Sequence, residues 1–261
     1  MKISSNKTNH IFKRTNIFTK IRKSIWRKIF LICTNPKLAT VYIFLNLGYF
    51  IKLPIPSSQY GEDLILDYLI RKPKGFYIDI WANDPFFGNN TYLFHNKWWD
   101  WITIEPNRHL HKKICKHRPK TINLNMAAGK TGVITYYEME SPGLSTCDKK
   151  TMEFYIQKGH SVVDTYDIQV LELWSILDKY LNNWQHIDIL SLDVEWMEMA
   201  ILHSNNREKY KPEYIILETV LYQGNAIVWI RNDYEYTAYL EKYWYKVIAN
   251  TYVNTIYRCY S

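Results

Sequence analysis

The stretch GFYIDIWAND, residues 75–84, decides the fold of this 261-residue chain. Gly75 precedes a short apolar strand, Phe76 to Ile80, which contains a single acid, Asp79. Four later segments share this nearly continuous apolar character and are predicted to be strands: Trp101–Glu105, Thr121–Asn125, Ile187–Val194 and Tyr214–Glu218. Strands without polar alternation are typical of a parallel sheet that is covered on both faces.

Helices are predicted around these strands at Glu62–Ile70, His109–His117, Val170–Leu181 and Met197–His203. The alternation of strand and helix predicts the α/β class. At the C-terminus, Tyr245–Tyr257 predicts two strands joined by a turn near Asn250, which would form an antiparallel edge. Between the third and fourth strands, residues 130–165 are expected to be an ordinary variable loop. The alternative is that Ser145 and Thr146 in this insertion bind an acceptor.

The charge of the chain is distributed unevenly. Residues 1–61 contain 11 Lys and Arg residues and no acid, which leaves 22 basic and 25 acidic residues for the remainder. We therefore divide the chain into a basic, partly apolar helical arm, residues 1–56, and a main domain, residues 57–261. Because the basic excess lies outside the main domain, no nucleic-acid partner is expected.

The arm has two interpretations that the sequence leaves open. Its interleaved basic and apolar residues suit a helix that lies on an anionic membrane surface, or a helix that packs on the main domain. Its apolar run at residues 38–51 is shorter than the roughly 20 residues that a membrane-spanning helix needs. We expect a cytoplasmic protein that makes, at most, a peripheral contact with the inner membrane surface.

Acids stand at the ends of four predicted strands. They are Asp79, Glu105, the pair Asp193 and Glu195, and Glu218. Ligands of open α/β sheets bind beyond the carboxyl ends of the strands, and an acid after the second strand is the usual partner of a ribose diol. The alternative is that each acid caps the helix that follows it. No group of His, Cys and acidic residues has metal-ligand spacing, so no metal is predicted.

Six segments, in order along residues 58–257, carry a resemblance to a known family. They are SQYGED (58–63), YIDIWAND (77–84), NTYLF (90–94), ITIEPN (102–107), NLNMAAG (123–129) and LSLDVEWME (190–198). Together they resemble the FkbM family of S-adenosylmethionine (SAM)-dependent methyltransferases. The resemblance implies a Rossmann-like class I methyltransferase fold, SAM as the cofactor, and O-methylation of a hydroxyl on a sugar, another glycan or a natural product.

The resemblance also implies roles for individual residues. The cofactor would be bound by Asp79, the turn of Trp81, Ala82 and Asn83, the ribose-binding Glu105 with Asn107 close by, and Asn125, Ala127 and Ala128 beside the adenine. Asp193 would lie next to the reacting centre. A hydroxyl acceptor benefits from a general base, for which Asp193 is favoured by position, with Glu195 and Glu218 as the alternatives.

The chain departs from the family pattern at five positions where glycine is expected. All five are tryptophan: Trp81, Trp98, Trp101, Trp196 and Trp244. The whole chain has 10 Trp and only 9 Gly. We hypothesise that the gene comes from a lineage that reads UGA as glycine. The alternative is true tryptophan in a catalytically inactive, membrane-associated binding or scaffold protein that retains the methyltransferase fold.

The gene sequence tests this hypothesis directly. We expect TGA at codons 81, 98, 101, 196 and 244, while the other five tryptophans should be encoded by TGG. Sequencing of the locus provides the measurement. TGG at the five codons would contradict the hypothesis and favour the inactive protein.

Overall fold

The computed structural model describes residues 56–97, 99–182, 185–194, 197–222, 229–231 and 233–261. Pro56–Ser261 forms a compact unit. The predictions for the arm before Pro56, for Trp98, and for Glu195 and Trp196 lie outside the described residues. Within the described ranges, none of the helices combines the length and the apolar character that crossing a bilayer requires.

Twelve strands and seven α-helices occur in the described ranges. The strands are β1 (Phe76–Ile80), β2 (Asp100–Ile104), β3 (Ile122–Leu124), β4 (Ala127–Ala128), β5 (Gly132–Met139), β6 (Val162–Leu171), β7 (Ile189–Leu192), β8 (Tyr214–Glu218), β9 (Val220–Tyr222), β10 (Trp229–Arg231), β11 (Tyr245–Asn250) and β12 (Asn254–Cys259). The helices are α1 (Glu62–Ile70), α2 (Tyr92–Asn96), α3 (Arg108–His117), α4 (Lys149–Gln157), α5 (Leu173–Tyr180), α6 (Glu198–His203) and α7 (Tyr234–Glu241), with a 3-10 turn at Pro142–Leu144.

Seven of the strands form one large sheet in the order β11-β12-β8-β7-β1-β2-β3. The five strands from β8 to β3 are parallel, whereas β12 is antiparallel to both β8 and β11. This confirms the predicted α/β architecture with a mostly parallel sheet and an antiparallel C-terminal edge. It also explains the composition of β1, which lies in the middle of the sheet and is buried along its whole length.

The two faces of the sheet are covered by two hydrophobic cores. Phe76, Ile78 and Ile80 pack into the larger core, and Tyr77 packs into the smaller one. Successive side chains of a strand point to opposite faces, so a run without polar alternation supplies both cores from one strand.

The variable loop predicted at residues 130–165 is instead part of an ordered segment, residues 127–171. They contain a second sheet, β4-β6-β5, in which β5 and β6 pair as an antiparallel hairpin. Only two residues of each hairpin strand are buried, and neither strand has the continuous apolar run that reveals the main sheet. The predicted helix from Val170 starts instead at Leu173, because Val170 and Leu171 pair with β4.

Ser145 and Thr146 were predicted as alternative acceptor-binding residues, and their positions contradict that role. Both side chains are fully buried. Ser145 Oγ accepts a hydrogen bond from the Met139 backbone N–H at 3.1 Å, and the backbone of Thr146 pairs with Tyr137. These contacts assign both residues to the structure of the hairpin.

At the amino ends of the parallel strands, a buried carboxylate ties three segments together. Asp188 accepts hydrogen bonds from the Phe76 backbone N–H at 2.8 Å and from Lys72 Nζ at 2.7 Å. Lys72 also contacts Glu213, and His186 lies beside both acids. His186, Asp188 and Glu213 thus have metal-ligand atoms within 4.8 Å of one another, a grouping that sequence spacing did not reveal. The Lys72 ammonium bridges both carboxylates, and Arg258 supplies a second positive charge to Glu213, so we assign this cluster to a structural clamp.

Candidate functional site

The turn after β1 is held against the end of β2 by one buried carboxyl group. Glu105 directly follows β2 and is 1% exposed. Its Oε2 accepts the Asn83 backbone N–H at 2.8 Å, and its Oε1 accepts the Asn107 backbone N–H at 2.7 Å. The Trp81 backbone N–H completes the connection by donating to the Ile104 carbonyl at 2.7 Å. The geometry of this turn therefore depends on Glu105.

The environment of Glu105 changes its acidity. Burial raises the pKa of Glu105 to about 8, although the backbone N–H groups of Asn107 and Asn83 act in the opposite direction. Each carboxylate oxygen accepts one of these N–H groups and can accept a further hydrogen bond. The two hydroxyl groups of a diol, such as that of ribose, can donate these two further hydrogen bonds.

Asp79 is also buried, at 4% exposed, and a network of long-range contacts holds it. Thr91 Oγ1 donates to Asp79 Oδ2 at 2.6 Å. Arg118, which is 1% exposed, donates to Asn89 Oδ1 at 3.2 Å and to the Pro85 carbonyl at 2.8 Å. Burial raises the pKa of Asp79, and the nearby Arg118 charge partly offsets this rise. Arg118 thus supplies a positive charge beneath the site.

The residues predicted to flank an adenine ring differ in their exposure. Asn125 is exposed, and its Nδ2 donates to the carbonyls of Glu105 at 2.9 Å and Pro106 at 3.0 Å. Ala127 and Ala128 are buried in β4 and belong to the larger core. Asn125 therefore remains a candidate through its side chain, whereas the two alanine side chains face the protein interior.

Two further acids meet at the ends of β7 and β8. Asp193 follows β7 and Glu218 ends β8, and the pairing of Leu192 with Leu217 places the two acids side by side at the ends of adjacent strands. Burial raises the pKa of Asp193, and the charge of Glu62 raises it further. Glu198, at the start of α6, is also buried, and burial raises its pKa to about 7. The third predicted base, Glu195, lies outside the described residues.

The acids lie close enough to one another for the charge of one to change the pKa of the next. The charge of Asp193 contributes to the raised pKa of Asp79, and the charge of Asp79 contributes to that of Glu105. The structure therefore brings Asp79, Glu105, Asp193 and Glu218 to one rim at the carboxyl ends of β1, β2, β7 and β8.

Trp81 occupies the turn in which the resemblance implies a cofactor. Its φ angle is +68°, in the left-handed region that favours glycine. The indole is 7% exposed and packs against Tyr136, with the ring centroids 5.9 Å apart. The backbone of the turn and the Glu105 carboxyl group fit SAM. An indole at position 81 does not, because it fills the space beside the turn in which the resemblance implies that the cofactor lies.

The other described tryptophans of the set give a mixed result for the glycine hypothesis. Trp244 also has φ +68°, and its side chain is 66% exposed, so its backbone favours glycine as well. Trp101 is different: it lies within β2 and stacks on Tyr77 with ring centroids 5.5 Å apart. The backbone conformation thus supports glycine at positions 81 and 244 and is neutral at position 101.

Several residues of the site were not singled out from the sequence. Thr91 belongs to the NTYLF segment and Glu62 to SQYGED, so the resemblance pointed to their segments without giving them a role. Arg118 gave no signal, because a single arginine after a basic helix is indistinguishable from an exposed one until its burial is known. Glu198 was quoted in LSLDVEWME but was not proposed as part of the site.

Comparison with known proteins gives one family. The model of the Methyltransferase FkbM domain matches residues 79–247, which contain the acids of the rim. None of the curated proteins matches the chain.

Replacement of Trp81 by glycine should open the site. We expect Trp81→Gly to bind SAM at least about tenfold more tightly than the chain with tryptophan, because the indole no longer fills the turn. Isothermal titration calorimetry provides the measurement. The matched control is Trp244→Gly, which changes the same residue type at the same φ angle on an exposed surface and should not improve binding. Equal SAM affinity with and without Trp81 would contradict the blocked turn.

The raised pKa of Glu105 should make stability depend on pH. The unfolded chain ionises this group near pH 4.5, whereas the folded protein retains the proton up to about pH 8. The unfolded state therefore binds fewer protons in this window, and stability falls as the pH rises. Between pH 5 and pH 8, the free energy of unfolding should fall by about 3 kcal/mol more in the wild type than in Glu105→Gln.

Urea denaturation at several pH values measures this difference. The control is Glu153→Gln on the exposed surface of α4, which should keep the wild-type slope. A Glu105→Gln variant with the wild-type pH dependence would show that Glu105 is ionised in the folded protein throughout this range.

Proposed function

This chain belongs to the FkbM methyltransferase family, and from that premise we propose that it is a SAM-dependent O-methyltransferase in the form that has glycine at position 81. The proposed acceptor is a hydroxyl group of a sugar, another glycan or a natural product. The strand order of the main sheet and its antiparallel C-terminal edge support a Rossmann-like class I methyltransferase fold.

The observation that carries this proposal is the carboxyl pair of Asp193 and Glu218 at the ends of the paired strands β7 and β8, next to the strand β1 that contains Asp79. Two carboxyl groups at such close range do not ionise together easily, so one keeps its proton while the other is the first to ionise and can then accept a proton. In the proposed reaction, this ionised carboxylate would take the proton of an acceptor hydroxyl, and SAM would supply the methyl group, with its sulfur as the leaving group. Burial raises the pKa of Asp193, which makes the pair a stronger base than an exposed acid.

The proposed cofactor-binding residues surround the turn after β1. Glu105 would accept the ribose hydroxyls, Asn83 and Asn107 would hold its carboxyl group in place, and Asn125 would lie at the adenine side. SAM, when bound, supplies a methyl group that is already activated as a sulfonium. The remaining task of the protein is to align the acceptor hydroxyl and to remove its proton.

The buried indole of Trp81 favours a second candidate function. With true tryptophan in the turn, the chain would be a catalytically inactive binding or scaffold protein that retains the fold, and residues 1–56 would supply its peripheral membrane contact. The two candidates differ in one measurable property, which is whether SAM binds to the protein that the cell makes.

Removal of the carboxyl pair tests the proposed chemistry. In the Trp81→Gly background, Asp193→Asn and Glu218→Gln should each lower kcat by roughly 10²- to 10⁴-fold, because a positioned general base is lost. SAM affinity should stay unchanged. The measurement is transfer of a radiolabelled methyl group from SAM to a mixture of hydroxyl-containing glycans, and calorimetry gives the SAM affinity of each variant.

The control is Asp164→Asn on the exposed hairpin strand β6, which should retain full activity. Loss of activity through weaker SAM binding alone would assign the pair to the cofactor rather than to the acceptor proton. Absence of methyl transfer to any hydroxyl by a protein that binds SAM would contradict O-methylation.

A further inference from the structure

Two tyrosine rings lie together on the surface near the carboxyl pair. Tyr60 precedes α1, and Tyr252 lies in the turn between β11 and β12. Their ring centroids are 5.2 Å apart with an interplanar angle of 47°, and the two residues are 49% and 50% exposed. Two large rings that are held together and half exposed form an apolar surface that a ligand can contact.

A buried carboxylate brings the two rings together. Glu62 is fully buried, and its Oε2 accepts the Tyr60 backbone N–H at 2.9 Å. Its Oε1 accepts Thr251 Oγ1 at 2.7 Å and Asn254 Nδ2 at 2.9 Å. Burial alone would raise the pKa of Glu62, but these hydrogen bonds outweigh it and hold the pKa below its usual value. Glu62 is therefore ionised at neutral pH and fixes both tyrosine-bearing segments.

The same segments lead directly to the proposed base. Asn254 pairs with Glu218 across β12 and β8, and the Thr219 backbone N–H donates to the Val253 carbonyl at 3.0 Å. Tyr252 is thus one residue from a segment that pairs with the end of β8. Asp193, the partner of Glu218, is close enough to Glu62 to respond to its charge. The two tyrosine rings and the carboxyl pair therefore lie at the same end of β8.

We propose that Tyr60 and Tyr252 form a sugar-binding platform that holds a neutral pyranose ring as the acceptor, with one of its hydroxyls directed to Asp193 and Glu218. The apolar C–H face of a pyranose suits an aromatic ring, while its hydroxyls suit a carboxylate acceptor such as Glu218, which pairs with Asn254 two residues after Tyr252. The acids Glu62, Asp193 and Glu218 disfavour an anionic sugar, because like charges repel in a partly buried site. This inference rests on the proposed function and specifies its substrate class.

Saturation-transfer NMR on the full chain tests the platform without SAM and without turnover. The probes are methyl β-D-glucopyranoside, its anionic counterpart methyl β-D-glucuronide, and phenol as a flat aromatic ligand. We expect saturation transfer to the glucoside and weaker transfer to the glucuronide. Transfer to phenol should not exceed the transfer to either sugar. Tyr60→Ala and Tyr252→Ala should each weaken glucoside binding by about fivefold.

Tyr60→Phe and Tyr252→Phe are the matched controls, because they retain the ring, and they should bind the glucoside within about twofold of the wild type. Both rings are half exposed, so the alanine variants are expected to keep the wild-type melting temperature, and either variant alone suffices for the test. Absence of transfer to the glucoside, preference for the glucuronide or phenol, or unchanged affinity in an alanine variant would overturn the proposal. Glucoside binding that depends on the rings, in a Trp81→Gly protein that binds SAM but transfers no methyl group, would support the platform and contradict the proposed function instead.

Discussion

The site depends first on a buried carboxyl group that accepts hydrogen bonds from the backbones of two loops. Glu105 connects the turn after β1, through Asn83, with the segment after β2, through Asn107. Without these two contacts, the loops would be linked mainly by the Trp81 N–H bond to β2. A buried acceptor of this kind fixes backbone geometry more strongly than an exposed one, since each donor would otherwise lose its hydrogen bond to water without replacement. The same burial makes the carboxyl group a weak acid, so stability and ligand preference are coupled at this residue.

The main sheet could be predicted from the sequence because its central strands are buried on both faces. The runs around Ile78, Leu190 and Ile216 have no competing helical period, and the strand-end acids follow them directly. The hairpin of β5 and β6 was missed because most residues of its strands are only partly buried or exposed, and polar residues interrupt the apolar ones. Asp79, Glu105 and Asp193 were predicted from strand ends alone. Thr91 and Arg118 could not be, because their contacts with one another depend on the packing of loops that are far apart in sequence.

The backbone conformation provides evidence about the unusual tryptophans that is independent of the composition of the chain. A residue with a side chain at φ near +68° is strained by roughly 1 kcal/mol or more, and proteins normally place glycine or asparagine there. Trp81 and Trp244 both have this angle, and Asn83, in the same turn as Trp81, has φ +51°. The turn thus keeps the shape that a small residue would give it, while an indole fills its interior. The fold tolerates this residue, but the ligand proposed for the turn would not.

Glu62 also determines the order in which the domain can be completed. Its partners Thr251 and Asn254 lie 189 and 192 residues further along the chain. Closing so long a loop is entropically unfavourable, so contacts of this kind form late in folding. A nascent chain that has emerged from the ribosome through β8 already contains all five parallel strands of the main sheet, yet it lacks the second tyrosine and the hydrogen-bond partners of Glu62. The Glu105 side of the rim can therefore be assembled during synthesis, whereas the side with Glu62 and the two tyrosines is complete only when the last hairpin has joined the sheet.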